Sequence, residues 1–196
     1  MKTLLITGFD PFGGEKINPS WETVKRLPDE IGIYRLHKLQ IPTRFGGAAE
    51  KVLETARAIA PDVIISVGQA GGRKGITPEV VAINLREASI PDNAGQQPAD
   101  IPVIADGPAA YFSTLPVRRM VESIKAAGIP AQLSFSAGAF VCNDVMYTLL
   151  HHFQGTQVKC GFIHVPFLPE QARENVPSLS LDEMVKGIAA AITAME

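Results

Sequence analysis

Three side chains in this sequence are of the types that acyl transfer needs. A thiol can attack a carbonyl carbon, an imidazole can carry the proton, and a carboxylate can orient the imidazole. Cys142, His164 and Glu79 supply those types, although other histidines and carboxylates are present. Cys142 lies in Ser136-Ala137-Gly138-Ala139-Phe140-Val141-Cys142-Asn143, after a strand-like run from Ala131 to Phe135. The amphipathic run Asp144 to His152 follows, with Val145, Leu149 and His152 at helical spacing. Small residues at 137 to 139 allow a sharp turn, and Gly138 can take φ values closed to other residues. Cys142 is therefore expected where a strand turns into a helix. A thiol there faces unpaired backbone N–H groups and the positive end of the helix dipole, both of which favour thiolate. Its pKa, ordinarily about 8.5, is expected at ~7.5 or lower. A small buried cysteine in a tight turn is the competing reading.

The remaining candidates read as structural. His37 falls on an outer strand, and His151-His152 ends a helix, where a cation complements the dipole. The glycine-rich loops Gly8 to Gly14 and Gly68 to Arg73 match neither phosphate-binding nor dinucleotide-binding spacing, so they are read as tight turns. Metal-ligand spacing is absent, with two isolated cysteines and no His-x-x-x-His. Phe9 and Phe12, in the first glycine loop, are more often core residues than pocket walls.

The elements that must position these groups follow from the chain's composition and patterning. Its 196 residues are 46 % apolar and 19 % charged, enough for one domain with a sizeable core, 1–196. A net charge of -2 without a basic run argues against a nucleic-acid groove, and no apolar run approaches a membrane span. Two cysteines give no disulfide framework, which points to the cytoplasm. Buried strands are expected at 3–7, 63–67 and 158–165, an outer strand at 34–41 and a further one at 80–85. Helices are expected after Asn18-Pro19, over 45–60, over 117–127, and from the capping box Ser180-Leu181-Asp182-Glu183 to about Ala194. The segment from Pro91 to Pro102 is polar and turn-rich, a long rim loop.

Strands alternating with helices at this rhythm predict an open, mostly parallel twisted sheet with helices on both faces, an α/β/α sandwich. Ligands of such sheets bind outside the carboxyl ends of the strands. The loops after the strands at 3–7, 63–67, 131–135 and 158–163 then share one rim, which collects Phe9, Phe12, Gln69, Cys142 and His164. Glu79 joins them if 80–85 runs antiparallel.

The chain also resembles the pyroglutamyl peptidase I, or pyrrolidone carboxyl peptidase, family over nearly its whole length. The resemblance rests on Gly8-Phe9-Asp10-Pro11-Phe12-Gly13-Gly14, Gly68-Gln69-Ala70-Gly71-Gly72-Arg73, Ile76-Thr77-Pro78-Glu79 with Ala82-Ile83-Asn84, and Ile90-Pro91-Asp92-Asn93. It rests also on Ser136 to Asn143 and on Phe162-Ile163-His164-Val165-Pro166. It implies a cysteine peptidase that removes N-terminal pyroglutamate, with Cys142 as nucleophile, His164 as base and Glu79 as orienting acid. It further implies a substrate pocket of Phe9, Phe12, Gln69, Phe140 and Val141, no cofactor, a cytoplasmic location and a homo-oligomer, often a tetramer. Ser89 and Val80 depart from the pattern, since the family usually carries Arg at both places. Two alternatives use the same pocket: another small-amide cysteine hydrolase, or a non-enzymatic sensor of blocked peptide ends.

Overall fold

The computed structural model describes residues 1–196. The chain runs β1 (Lys2–Phe9), α1 (Pro19–Arg26), β2 (Glu30–Ile31), β3 (Tyr34–Ile41), α2 (Gly47–Ile59), β4 (Val63–Gln69), β5 (Thr77–Pro78) and β6 (Val81–Ile83). It continues through β7 (Ala110–Phe112), α3 (Val117–Ala126), α4 (Val141–His152), β8 (Lys159–Val165) and α5 (Leu181–Thr193). Six strands form the main sheet in the order β2-β3-β1-β4-β8-β5. Its four central strands are parallel, and the two-residue strands β2 and β5 close its edges antiparallel. The expected α/β/α sandwich is therefore present.

Side chains of a strand alternate between its two faces, and β1 shows how this builds two cores. Leu4 and Ile6 face α1, α3 and α5, in a cluster with Val63, Ile65 and Val67 of β4 and with Met120, Ile124, Met184 and Ile188. Leu5 and Phe9 face α2 and α4, with Ile64, Phe162, Val52, Val145 and Leu149. Burial of each such large side chain contributes about 1.5–3 kcal/mol. Asn18 caps α1 by accepting from Ser20 N, with Pro19 in its first turn. Ser180 and Glu183 form the capping box expected at the start of α5. No helix is long and apolar enough to cross a membrane.

Two expected elements differ. Residues 80–85 do not form a strand of the main sheet: β6 is short and pairs with β7 in a separate two-stranded sheet. The main sheet's antiparallel edge is the shorter β5, where Thr77 pairs with His164 and Pro78 with Ile163. The run from Ala131 to Phe135 is extended but joins only through isolated bridges, Ala131 to Ile76 and Ser134 to Glu79. These local pairings come from tertiary contact, and neither hydrophobic period announces them.

Candidate active site

The carboxyl ends of β1, β4 and β8 open on a cavity of about 400 Å³. Phe9, Phe12, Gln69, Phe140, Cys142 and His164 all line it, so the shared rim expected from the loops is formed. Glu79 stands behind His164 at the end of β5, with its backbone N–H donating to Phe162 O at 2.9 Å. Its carboxylate Oε1 lies 2.6 Å from His164 Nδ1. That contact assigns the proton on Nδ1 to the carboxylate bond and leaves Nε2 turned to the rest of the site. The condition set on Glu79 is thus met, but by β5 and not by a strand at 80–85.

Cys142 is the second residue of α4. Gly138 takes φ +76° in the turn before it, a conformation that favours glycine. Gly68 makes room for the thiol: a Cβ there would stand 2.9 Å from Cys142 Sγ and 2.7 Å from the Phe162 ring. No side chain caps α4, whose N-cap residue is Phe140. The two residues after Cys142 pin the start of the helix. Asn143 donates to Ile83 O and Leu85 O and accepts from Ile83 N. Asp144, fully buried, accepts from Gly46 N at 2.8 Å and from Arg86 Nε at 2.6 Å.

Aromatic packing shapes one wall of the cavity. The Phe140 ring lies 6.0 Å from Phe12 and 5.3 Å, edge-on, from Phe45. Asp92 holds this wall by accepting from Phe45 N at 2.9 Å, while Asn93 donates to Asp10 Oδ1 and Pro11 O. The Ile-Pro-Asp-Asn segment thus braces the pocket from outside. Val141 is absent from the lining, because its side chain is fully buried in the core. Any part it has in binding would run through its backbone N–H. Ser89 is exposed and Val80 half-buried, and neither lines the cavity.

Sequence reasoning missed the role of Arg73. Its Nη1 donates to Glu79 Oε1 at 2.7 Å and also to Thr77 Oγ1, and its Nη2 donates to Ser136 O at 3.2 Å. The signal was available, because Arg73 ends the Gly68-Gln69-Ala70-Gly71-Gly72-Arg73 motif and is a cation near the candidate carboxylate in the chain. Asn18 and Thr43 also line the cavity.

The electrostatics overturn one expectation. Burial, and then the negative charge of Glu79, push the Cys142 thiol up to about 12, against smaller opposing effects of Arg73 and the Cys142 backbone N–H. The helix start does not outweigh desolvation, so the resting thiol is protonated. Burial also lowers the pKa of His164 from its ordinary value, assisted by the Arg73 charge, although the Glu79 bond works the other way. For Glu79, burial works to raise the pKa. The His164 bond and charge, the nearby Ser134 hydroxyl and the Arg73 charge together hold it below its ordinary value. The resting site is therefore thiol, neutral imidazole and carboxylate.

A mostly parallel α/β sheet with this rim gathers the thiol, imidazole and carboxylate that a cysteine hydrolase needs. The comparisons with known proteins narrow the class. The sequence profile described as "Pyroglutamyl peptidase" matches residues 1–196. The pyrrolidone-carboxylate peptidase of Levilactobacillus brevis is 54 % identical over 98 % of this chain and 96 % of its own length. That of Escherichia fergusonii is 53 % identical over 98 % of this chain and 92 % of its own. The crystal structure of Bacillus amyloliquefaciens pyroglutamyl peptidase I superposes with a TM-score of 0.96 at 48 % identity, covering 100 % of this chain and 97 % of that one. The pyrrolidone carboxyl peptidase of Thermococcus litoralis gives 0.94 at 38 % identity, covering 100 % and 93 %. The chain belongs to the pyroglutamyl peptidase family.

Proposed function

We propose that this enzyme removes an N-terminal pyroglutamyl residue from peptides through Cys142, His164 and Glu79. The observation that carries the assignment is the 2.6 Å contact between His164 Nδ1 and Glu79 Oε1 at a cavity that Cys142 also lines. Because the thiol rests protonated, Cys142 Sγ attacks the pyroglutamyl carbonyl carbon as its proton passes to His164 Nε2. Backbone N–H groups at the uncapped start of α4, those of Val141 and Cys142 among them, receive the oxyanion in this reading. The imidazolium returns its proton to the leaving amine, leaving a thioester on Cys142. Water, deprotonated by His164, then releases pyroglutamate and restores the thiol.

Phe9, Phe12 and Phe140 wall the flat lactam ring in this reading, and Gln69 supplies a polar contact to it. A fluorogenic pyroglutamyl amide, assayed with and without a thiol reagent, tests the proposal: turnover abolished by the reagent is expected, and no turnover refutes it. The base form of His164 is the active one, and its pKa lies below the ordinary imidazole value. Thus kcat/KM should hold as pH falls through ~6.5 and decline only below it.

Residues 1–196 act as one unit in this reading, with peptides as substrates and no requirement for nucleic acid or membrane. Both cysteines are free, consistent with a reducing compartment such as the cytoplasm. A homo-oligomer is proposed as well, supported by Phe112 and Phe135 at 73 % and 66 % exposure. Light scattering at low micromolar concentration checks it, and a mass near 21.0 kDa refutes it.

A further inference from the structure

Arg73 touches three separate parts of the site. It comes from the loop after β4, and it bonds Thr77 on β5, Glu79 just beyond it, and Ser136 in the turn that leads to Cys142. Its Nη1 shares Glu79 Oε1 with the imidazole. Glu79 Oε2 has no hydrogen-bond partner at bonding distance although the residue is fully buried, and the nearby Ser134 hydroxyl lies 3.1 Å from Ser136 O. We propose that Arg73 is a positioning residue of the site: it offsets the charge of Glu79 beside His164, and it ties that carboxylate to the turn before the nucleophile. This rests on the triad reading given above.

The physical reason lies in the dryness of the site. A buried carboxylate with half its lone pairs unmet either takes up a proton or draws one onto its neighbour. A protonated His164 could not accept the thiol proton. With Arg73 in place, carboxylate and guanidinium sum to zero, and Nε2 keeps its lone pair. Once the proton moves from Cys142 to His164, the charges alternate along the site as thiolate, imidazolium, carboxylate and guanidinium. Arginine is suited to this because its planar group can donate to the carboxylate and to Ser136 O at once, whereas an ammonium is a point charge.

The charged or titratable groups that face the imidazole are Glu79 from the end of β5, Arg73 from the loop after β4 and Cys142 from α4. Its neighbour on β8, Phe162, is neutral, with ring centroids 4.8 Å apart. The Arg73 charge lowers the pKa of both His164 and Cys142. Removing it raises both, so the acid limb of the pH profile moves upward and the thiol alkylates more slowly. A residue that only held the fold would lower the profile without moving it.

The experiment compares wild type, Arg73→Gln and Arg73→Lys. One readout is kcat/KM against pH on a pyroglutamyl amide, and the other is the rate of Cys142 alkylation by iodoacetamide, which needs no substrate. For Arg73→Gln the acid limb should rise, which makes activity below it and alkylation at about pH 9 each several-fold slower. Arg73→Lys should keep the acid limb in place with kcat several-fold lower, because the charge stays and the planar group is lost. An unmoved acid limb and unchanged alkylation in Arg73→Gln would overturn the electrostatic role. A fully active Arg73→Lys would overturn the positioning role, and it decides the matter even if the Gln variant does not fold. Failure of wild type to turn over any pyroglutamyl amide would count against the assigned reaction, while alkylation would still judge Arg73.

Discussion

Two regions of this molecule each hold a cysteine, and they differ in almost everything except thiol acidity. Cys160 lies within β8 at 1 % exposure, in the cluster with Phe162, Val145 and Leu149. Cys142 opens α4, is half-buried, and shares a cavity with His164 and Arg73. Burial pushes both thiols up to about 12. A high resting pKa therefore does not separate an inert thiol from a nucleophile. What separates them is a proton acceptor: Cys142 has His164 across the cavity, whereas Cys160 is enclosed by apolar side chains. In the proposed reading the nucleophile is made at the moment of attack, not stored as thiolate.

The largest test of that contrast is removal of each thiol. Cys142→Ser should lower kcat on the order of 10⁵-fold or more, as loss of the nucleophile does in a well-studied triad. Cys160→Ser should keep kcat within about twofold but unfold more easily, by about 1–3 kcal/mol, because it buries an unpaired hydroxyl. Progress curves on a pyroglutamyl amide, with melts of both variants, decide it. Equal loss of activity in the two would dissolve the distinction.

Glu79→Gln comes next, with kcat lower by about 10⁴-fold and KM little changed. The amide cannot support the imidazolium and leaves Arg73 without its counter-charge. Asp92 could not take over, because its carboxylate already accepts from Phe45, Ala94 and Gln96 N–H groups. Near-normal kcat in Glu79→Gln would show that His164 is oriented by something else.

Specificity sharpens the contrast at the other end of the cavity. Prolyl and glutamyl amides with the same leaving group should have kcat/KM at least ~10³-fold below the pyroglutamyl amide. Both bring a charged amine into a cavity whose lining holds no carboxylate to pair with it, and proline also lacks the ring carbonyl. Arg73 gives the glutamyl carboxylate little compensation, since Glu79 already occupies it. Matched progress curves with comparable prolyl and pyroglutamyl rates would mean that the pocket recognises ring shape alone.

What can be inferred from the sequence divides along the same line. The parallel strands, the capped helices and the rim residues are local or periodic features, and Lys2–Phe9, Val63–Gln69 and Lys159–Val165 lie within a few residues of their expected bounds. The triad's residue types are visible in the chain, but their mutual placement hangs on an antiparallel strand that proves to be β5. Neither β5 nor the bridges at Ala131 and Ser134 carry a period of their own, because long-range pairing alone creates them. Thiol acidity is misread because a helix start can be recognised along the chain, while the desolvation opposing it depends on Gly68 and Phe162 from distant strands. The place of Arg73 at the end of its motif, six residues before Glu79, is visible in the chain, but its bonds to Thr77, Glu79 and Ser136 form only in the fold.

The smallest expected effect belongs to a helix whose start contrasts with that of α4. Helix α5 begins with a capping box, in which Ser180 Oγ accepts from Glu183 N while Glu183 accepts from Ser180 N at 2.8 Å. Its N–H groups are thereby engaged within the helix start, whereas no side chain caps α4. Ser180→Ala should cost about 1 kcal/mol of stability, or roughly 2–4 °C in Tm for a chain of this size, with kcat unchanged. The Ser180 hydroxyl, then its backbone N–H, hold the Glu183 carboxyl below its ordinary pKa. A depressed carboxylate stabilises the fold above its unfolded pKa and loses that contribution as pH falls through the folded one. The gap between wild type and Ser180→Ala should therefore be open at neutral pH and narrow on acidification below ~4. Melts at several pH values, with kcat measured alongside, test this. A kcat that fell in step with Tm would show that α5 is coupled to the cavity, and the contrast between a capped structural helix and an uncapped catalytic one would fail.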